Sequence, residues 1–359
     1  MPSQPGNTAP LKSHPTRTKS VRVGVVGFRG YSGLELQRIL GAHARVEPWL
    51  LEHRQDAAPE LRPLGRAGAP RIPAMAEAAV EAGLALVFLA TPADVSMELA
   101  PALLGRDIRV VDLSGAFRLR TAENYQLWYK EQHTQPALLA EAVYGLPEFY
   151  RERIAGARLL SNPGCYPTAA NLALRPLLEA GVIDRACGIV CDAKSGVSGA
   201  GRKAALKTSF CEVAGNLSAY SIFNHRHVPE VLLNTGLDEA EFSFTAQLVP
   251  IERGILETIY FRVRAGVAAE ELLGVYQKAY AGEPFVRLYA PGTVPDLHGV
   301  GYTNFCDIGF SLDARSRRVV VVAAIDNLGK GAAGQAVQNM NLMCGFDETT
   351  GLMLPAVYP

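Results

Sequence analysis

No stretch of this 359-residue sequence approaches the roughly 18–20 consecutive apolar residues that a membrane span needs. Net charge is also missing: 35 basic side chains balance 35 acidic ones. A neutral total gives no electrostatic reason to expect nucleic acid or an anionic membrane as partner, although a local basic pocket for a phosphorylated small molecule stays open. Residues 1–20 carry Lys12, Arg17 and Lys19 but no acid and no apolar centre, which excludes a secretory signal. Pro5, Pro10 and Pro15 argue against an amphipathic transit helix there, so this stretch reads as a disordered tail. The cysteines at 165, 187, 191, 211, 306 and 344 form no Cys-x-x-Cys and no Cys/His metal spacing. Free thiols in a reducing cytoplasm, and no metal, are the expectation. Hydrophobic residues at 48% and charged residues at 19% describe an ordinary globular enzyme.

A chain of this length is expected to form two domains. Its first half alternates apolar strand-like runs (Val21–Val26, Val46–Leu51, Leu84–Ala90, Ile108–Leu113) with helical stretches such as Ser32 to Ala42. That alternation predicts a parallel sheet covered on both faces. In the second half, Glu241–Leu248 and Ile255–Val263 alternate apolar and polar residues, which suits a sheet with one open face, usually antiparallel. Arg318–Ile325 is a continuous apolar strand, and Ala332 to Cys344 reads as a final helix. The fold class expected is α/β: a nucleotide-binding domain, then an α+β substrate domain with a mostly antiparallel or mixed sheet.

Gly24, Gly27, Gly30 and Gly33 recur every third residue between the first strand and the first helix. Glycines in that place let the backbone turn tightly and approach a pyrophosphate seated on free amides at the helix start. A plain glycine-rich turn is the competing reading. At the end of the second strand, Glu52 would suit a ribose hydroxyl and hence NAD, whereas Arg54 would suit a 2′-phosphate and hence NADP. Spacing alone leaves that choice open.

The most informative stretch is Ser161-Asn162-Pro163-Gly164-Cys165-Tyr166-Pro167-Thr168. A strand end precedes it, a helix follows, and Pro167 suits a first helical turn. Cys165 would then sit at a helix N-terminus, where the dipole and free amides favour a thiolate and an oxyanion. The competing reading is a buried structural cysteine. His225-Arg226-His227-Val228-Pro229-Glu230 supplies a proton donor in the right titration range, with Glu230 placed to orient or charge a histidine. Two glycine segments, Ser195 to Lys203 and Asp326 to Gly331, suit a phosphate or a cofactor, or are plain loops.

Together these segments resemble the N-acetyl-γ-glutamyl-phosphate reductase family, arginine-pathway relatives of aspartate-semialdehyde dehydrogenase. The likeness runs over nearly the whole chain after residue 20. Its markers are Gly27–Gly33, Asp112 to Arg118, Tyr144 to Glu148, the Asn162–Thr168 elbow, Ser195–Arg202, His225–Glu230, Asp326–Gly334 and the closing Tyr358-Pro359. The resemblance implies a Rossmann domain of residues 21–164 and 327–359 around an inserted catalytic, substrate and oligomerisation domain of residues 165–326. It implies Cys165 as nucleophile, His225 as the acid/base, and His227 and Glu230 as supporting members. Arg118, Asn162 and the Arg202–Lys203 pair are implied for the substrate. Gly27, Arg29, Gly30, Tyr31, Ser32, Gly33, Ser195 and Gly196 are implied for the cofactor, with Asn327 positioning its nicotinamide amide. Arg54 matches the family's arginine near the adenosine phosphate and favours NADP(H). Two departures stand out: His53 replaces a small hydroxyl residue, and Thr91-Pro92-Ala93-Asp94 replaces Leu-Pro-His-Gly.

The activity so implied is reduction of a small-molecule acyl phosphate to an aldehyde through a Cys165 thioester, in a cytoplasmic homo-oligomer (dimer or tetramer). One rival is a sister reductase acting on a carrier-bound acyl phosphate in lysine synthesis, for which a basic rim would be expected. The other is a NADP-binding regulator without chemistry, which intact Cys165 and His225 oppose.

Overall fold

The structure is a computed structural model that describes residues 20–53 and 68–357. Nearly all of the expected tail, Arg54 and Tyr358-Pro359 lie outside the described residues. Strand β1 (Val21–Val26) leads into α1 (Tyr31–Ala42), followed by β2 (Val46–Glu52), β3 (Arg71–Pro73) and α2 (Ala76–Glu81). Next come β4 (Leu86–Leu89), α3 (Ala93–Leu104), β5 (Arg109–Asp112), α4 (Ala122–Tyr129) and α5 (Pro136–Glu141). β6 (Val143–Tyr144), α6 (Pro147–Ala155) and β7 (Leu159–Ser161) complete a seven-stranded sheet ordered β3-β2-β1-β4-β5-β7-β6. Every pairing in it is parallel. All four residues of β4 are buried, as expected of a strand covered on both faces.

The order reverses between β1 and β4. In open parallel sheets, ligands bind where the loops diverge at such a point. Here the loops after β1 and β4 touch: Gly27 has φ +77°, and a Cβ on it would lie 2.2 Å from the Ala90 carbonyl oxygen. Only glycine fits.

The chain then enters a second layer through α7 (Cys165–Glu179), β8 (Ile189–Ser195), α8 (Phe210–Val213), β9 (Ser218–Tyr220) and α9 (Val228–Thr235). β10 (Phe242–Leu248), β11 (Ile255–Arg262), α10 (Ala269–Ala279), β12 (Val286–Leu288), β13 (Cys306–Asp313) and β14 (Arg318–Ile325) follow. Their seven-stranded sheet is ordered β12-β13-β14-β11-β8-β10-β9. The alternation along β10 buries Phe242, Phe244 and Ala246 against α7 and α9. β11 is antiparallel to both of its neighbours, but β10 runs parallel to β8 and β12 parallel to β13, so the sheet is mixed. The long segment between β8 and β10 makes the parallel pairing possible, since such a crossover needs a dozen or more residues.

The expected final helix is interrupted at its start. A π-helical turn (Gly329–Ala333) precedes α11 (Gly334–Met343). Side chains on Gly329 and Gly334 would lie 2.1 Å from the Thr303 carbonyl oxygen and 2.5 Å from Asn304 Oδ1, so glycine lets this turn press against the loop before β13. Val337 and Met340 of α11 share one apolar cluster with Val23 and Val25 of β1. The chain's end thus packs on the first sheet.

Candidate active site

Cys165 is the first residue of α7, after Gly164, and no side chain caps the helix. The residue lines a cavity of about 860 Å³ between the two sheets, together with Arg118, Asn162, Ser198, Arg202, Arg226, His227 and Asn327. Tyr31 and Ser32, at the start of α1, line the same cavity. A neighbouring pocket of about 310 Å³ is walled by Gly27, Arg29, Glu52 and His53, and both volumes share Gly30, Ala90, Thr91 and Pro92. One cleft therefore runs from the glycine loop to the thiol.

The thiol departs from the expectation of a thiolate. Burial pushes Cys165 up to about 11, against a backbone hydrogen bond from Tyr166 and the nearby charge of Arg118, both of which pull it down. Loss of water outweighs the helix start. The elbow is held by Glu230, which is fully buried. Its Oε2 accepts from the Gly164 N–H and the Tyr144 hydroxyl, both at 2.9 Å, and its Oε1 from Arg118 at 3.1 Å. Glu230 was expected to orient a histidine. The structure has it holding the loop before Cys165, and Arg118 stands between Glu230 and His227, with Nη1 3.4 Å from the ring Nε2.

His225 and His227 separate sharply. His227 faces the cavity, and a Cβ on Gly164 would sit 2.7 Å from its Nε2. Its Nδ1 is buried without a hydrogen-bond partner among the described residues. Burial, then the charges of His225, Arg118 and Arg226, hold His227 well below its usual range. His225 lies behind the cavity wall, packed on Tyr166, Tyr220 and Phe244, with its Nδ1 accepting the His227 N–H at 3.2 Å. Burial lowers it to about 4.

The expected anion ligands differ in their freedom. Arg118 is buried, with Nε on the Asn162 carbonyl at 2.9 Å and Nη2 on the Leu113 carbonyl at 2.9 Å. Each of its three nitrogens is thus bonded to the protein. Asn162 likewise donates to the Ala332 carbonyl and accepts from Asn339. Arg202 lines the cavity and sends one donor to the Arg29 carbonyl at 2.7 Å, tying the loop after β8 to the glycine loop. Lys203 is exposed and outside the cavity lining.

Toward the dinucleotide end, the residues fit such a cofactor. Helix α1 opens at Gly30 without a capping side chain or an acid in its first turn, leaving its N–H groups toward the cleft. A side chain on Gly33 would collide with the Gly27 carbonyl at 2.3 Å. Glu52 is paired with Arg29 at 3.1 Å and Arg71 at 3.7 Å. Ser195 and Gly196 are buried and outside the cavity lining, of which Ser198 to Arg202 form part. Asn327 accepts from the Gly254 N–H at 2.7 Å and donates to Ser198 at 2.9 Å, so its amide joins two loops. Gly331 backs Cys165, since a Cβ there would lie 2.8 Å from Cys165 Cβ. The same turn is anchored by Lys330, which is fully buried and donates to Glu148 at 2.6 Å and Gln338 at 2.7 Å.

Sequence reasoning assigned no role to Tyr144, Tyr129 or Arg226. Tyr144 sits in a recognised motif whose partner is distant in sequence. Tyr129 lines the cavity with a buried hydroxyl that has no partner among the described residues. Arg226 stands between the two histidines, and that position was its only signal.

Comparison with known proteins agrees with this layout. Residues 22–157 match the semialdehyde dehydrogenase NAD binding domain, and residues 165–327 match the semialdehyde dehydrogenase dimerisation domain. The chain is 48% identical over 356 residues to N-acetyl-gamma-glutamyl-phosphate reductase of Symbiobacterium thermophilum, covering 95% of this chain and all of the relative. It is 45% identical over 346 residues to the enzyme of that name from Geobacillus stearothermophilus, covering 94% and 100%. Among solved structures, aspartate semialdehyde dehydrogenase II from Vibrio cholerae, complexed with ASA, superposes with a TM-score of 0.66 at 18% identity, covering 91% of this chain and 99% of that one. Aspartate semialdehyde dehydrogenase with NADP from Candida albicans gives 0.65 at 15% identity; both likenesses concern the fold. On the strength of its long sequence matches, the chain belongs to the N-acetyl-gamma-glutamyl-phosphate reductase family.

Proposed function

We propose that the protein reduces N-acetyl-L-glutamyl 5-phosphate to N-acetyl-L-glutamate 5-semialdehyde, with release of phosphate, in arginine biosynthesis. The observation that carries this reading is the continuous cleft from the glycine loop to Cys165, in a chain whose full-length relatives bear that enzyme's name. The carrier-dependent rival gains no support from a neutral chain.

In the first stage the Cys165 sulfur bonds to the acyl carbon, the carbon–oxygen bond to phosphate breaks, and phosphate leaves. Burial leaves the Cys165 thiol and the His227 imidazole both neutral at rest, and His227, which lines the same cavity, takes up the thiol proton only as the sulfur attacks. This gives the proton-handling role to His227, with His225 as the ring that fixes the turn. The N–H groups at the start of α7 are placed for the oxyanion. Held along the glycine loop by Gly27, Gly30 and Gly33, NADPH would supply the hydride for the thioester carbon. His227 returns a proton as the carbon–sulfur bond breaks, and aldehyde and thiol result. Arg118 and Glu230 position these groups; Arg202 is placed for the substrate.

NADP is favoured over NAD because Glu52, the acid expected to hold a ribose hydroxyl, is engaged by Arg29 and Arg71. Residues 165–326 form the catalytic and oligomerisation domain in this reading, with 21–164 and 327–359 binding the dinucleotide. Phe210 and Phe223, 83% and 79% exposed within the dimerisation-domain match, support a homo-oligomer. A cytoplasmic enzyme fits described residues in which no helix is long and apolar enough to cross a membrane.

The test is NADPH oxidation with N-acetylglutamyl phosphate, with NADH run alongside. C165A is expected to abolish turnover and leave nucleotide binding nearly intact; retained turnover would sink the mechanism.

A further inference from the structure

We propose that Arg226 docks the phosphoryl group of the substrate, the group that leaves when Cys165 attacks. The proposal rests on the reductase reading above and adds to it the residue that receives the leaving group.

Three basic side chains line the cavity: Arg118, Arg202 and Arg226. Arg118 is buried and bonded to Asn162, Leu113 and Glu230, so it has become part of the wall. Arg202 has committed Nη1 to the Arg29 carbonyl. Arg226 is exposed and has no hydrogen-bond or ion-pair partner among the described residues. The acids on the wall, Asp94 and Glu131, are not paired with it. Its guanidinium therefore keeps its whole fork for a ligand, and a planar fork suits a phosphoryl group's paired oxygens.

Position decides which anion it takes. Arg226 precedes His227, the ring that faces the cavity beside Gly164 and Cys165. Its charge is felt at His225, His227, Tyr129 and Tyr220, which places it over the reacting end of the cavity. The bond to be broken joins the acyl carbon to the phosphoryl oxygen, so the phosphoryl lies next to the sulfur, whereas the substrate carboxylate lies at the far end. An exposed side chain also suits a group that must depart into water. A dianion on Arg226 offsets the positive field that disfavours a proton on His227, so docking and proton acceptance are coupled.

The test runs the reaction backwards, with N-acetylglutamate semialdehyde, NADP+ and inorganic phosphate as the probe. R226Q is expected to raise the KM for phosphate about tenfold or more while the KM values for aldehyde and NADP+ stay nearly constant. R226K should fall between R226Q and the wild type, and the unfolding temperature should not change. An unchanged KM for phosphate overturns the proposal. So does a rise confined to the aldehyde, which would assign Arg226 to the carboxylate. If the wild type shows no phosphate-dependent reduction of NADP+, the reductase reading itself falls, a result distinct from either variant outcome.

Discussion

Cys165 opens α7 without a capping side chain, where free N–H groups favour a thiolate, yet burial raises its thiol to about 11. At pH 7 a thiol of that kind is ionised only to about one part in ten thousand. Alkylation of the free enzyme by iodoacetamide should therefore be slow at Cys165 and should still be rising beyond pH 9. A plateau near pH 8, followed by mass spectrometry of the labelled peptide, would show a thiolate already stabilised before substrate binds. The place of Cys165 at a helix start was legible in the sequence, because Gly164 before it and Pro167 after it suit a first helical turn. The choice between His225 and His227 was not. They are two residues apart, and only the turn, closed by the His227 N–H on the His225 ring, decides which one faces the cavity. The hydrogen bond that Glu230 accepts from the Gly164 N–H was not legible, because that partner lies far away in sequence.

Among the elements, the π-helical turn Gly329–Ala333 packs directly against Cys165. A methyl on Gly331 would meet Cys165 Cβ at 2.8 Å and the Asp326 carbonyl oxygen at 3.2 Å. G331A should lower kcat by up to about a hundredfold, since a misplacement of an ångström costs that much. Stability should fall only by the ~1–3 kcal/mol of an overpacked site. G156A is the control: a Cβ there meets nothing within 4 Å, and both activity and unfolding temperature should hold. Strands β4 and β14 were legible because burial over most of their length leaves an unbroken apolar run. β13 was not, for it carries Asp307 and Gly309 in its middle. The aspartate is buried because Arg287 on β12 pairs with it at 2.6 Å, and the glycine is there because the Thr293 carbonyl would lie 2.4 Å from a side chain. Both reasons come from neighbours distant in sequence.

Across the whole molecule, the second sheet holds an acid deep in its core. Glu257 on β11 is fully buried, Oε1 has no hydrogen-bond partner among the described residues, and burial raises its carboxyl well above the usual range. An unfolded glutamate ionises near ~4.3, so above that pH the unfolded chain gives up a proton that the folded chain keeps. The folded state consequently loses about 1.4 kcal/mol per pH unit from this group until its raised value is passed. E257Q should match the wild type near pH 4 and gain on it as pH rises, read as the difference in unfolding temperature between pH 5 and 8. A pH-independent difference would mean the carboxylate is charged in the fold.

The polypeptide passes between the two sheets twice, once from β7 into α7 and once from β14 into α11, and the passages lie side by side where Gly331 abuts Cys165. Points on a body that swings about a hinge move in proportion to their distance from it. Rocking of one sheet against the other would sweep the glycine loop and the cavity rim through an arc, while the sulfur at the pivot stays nearly at rest. Any such rocking would open the gap to a large dinucleotide while leaving the aim of the sulfur nearly unchanged.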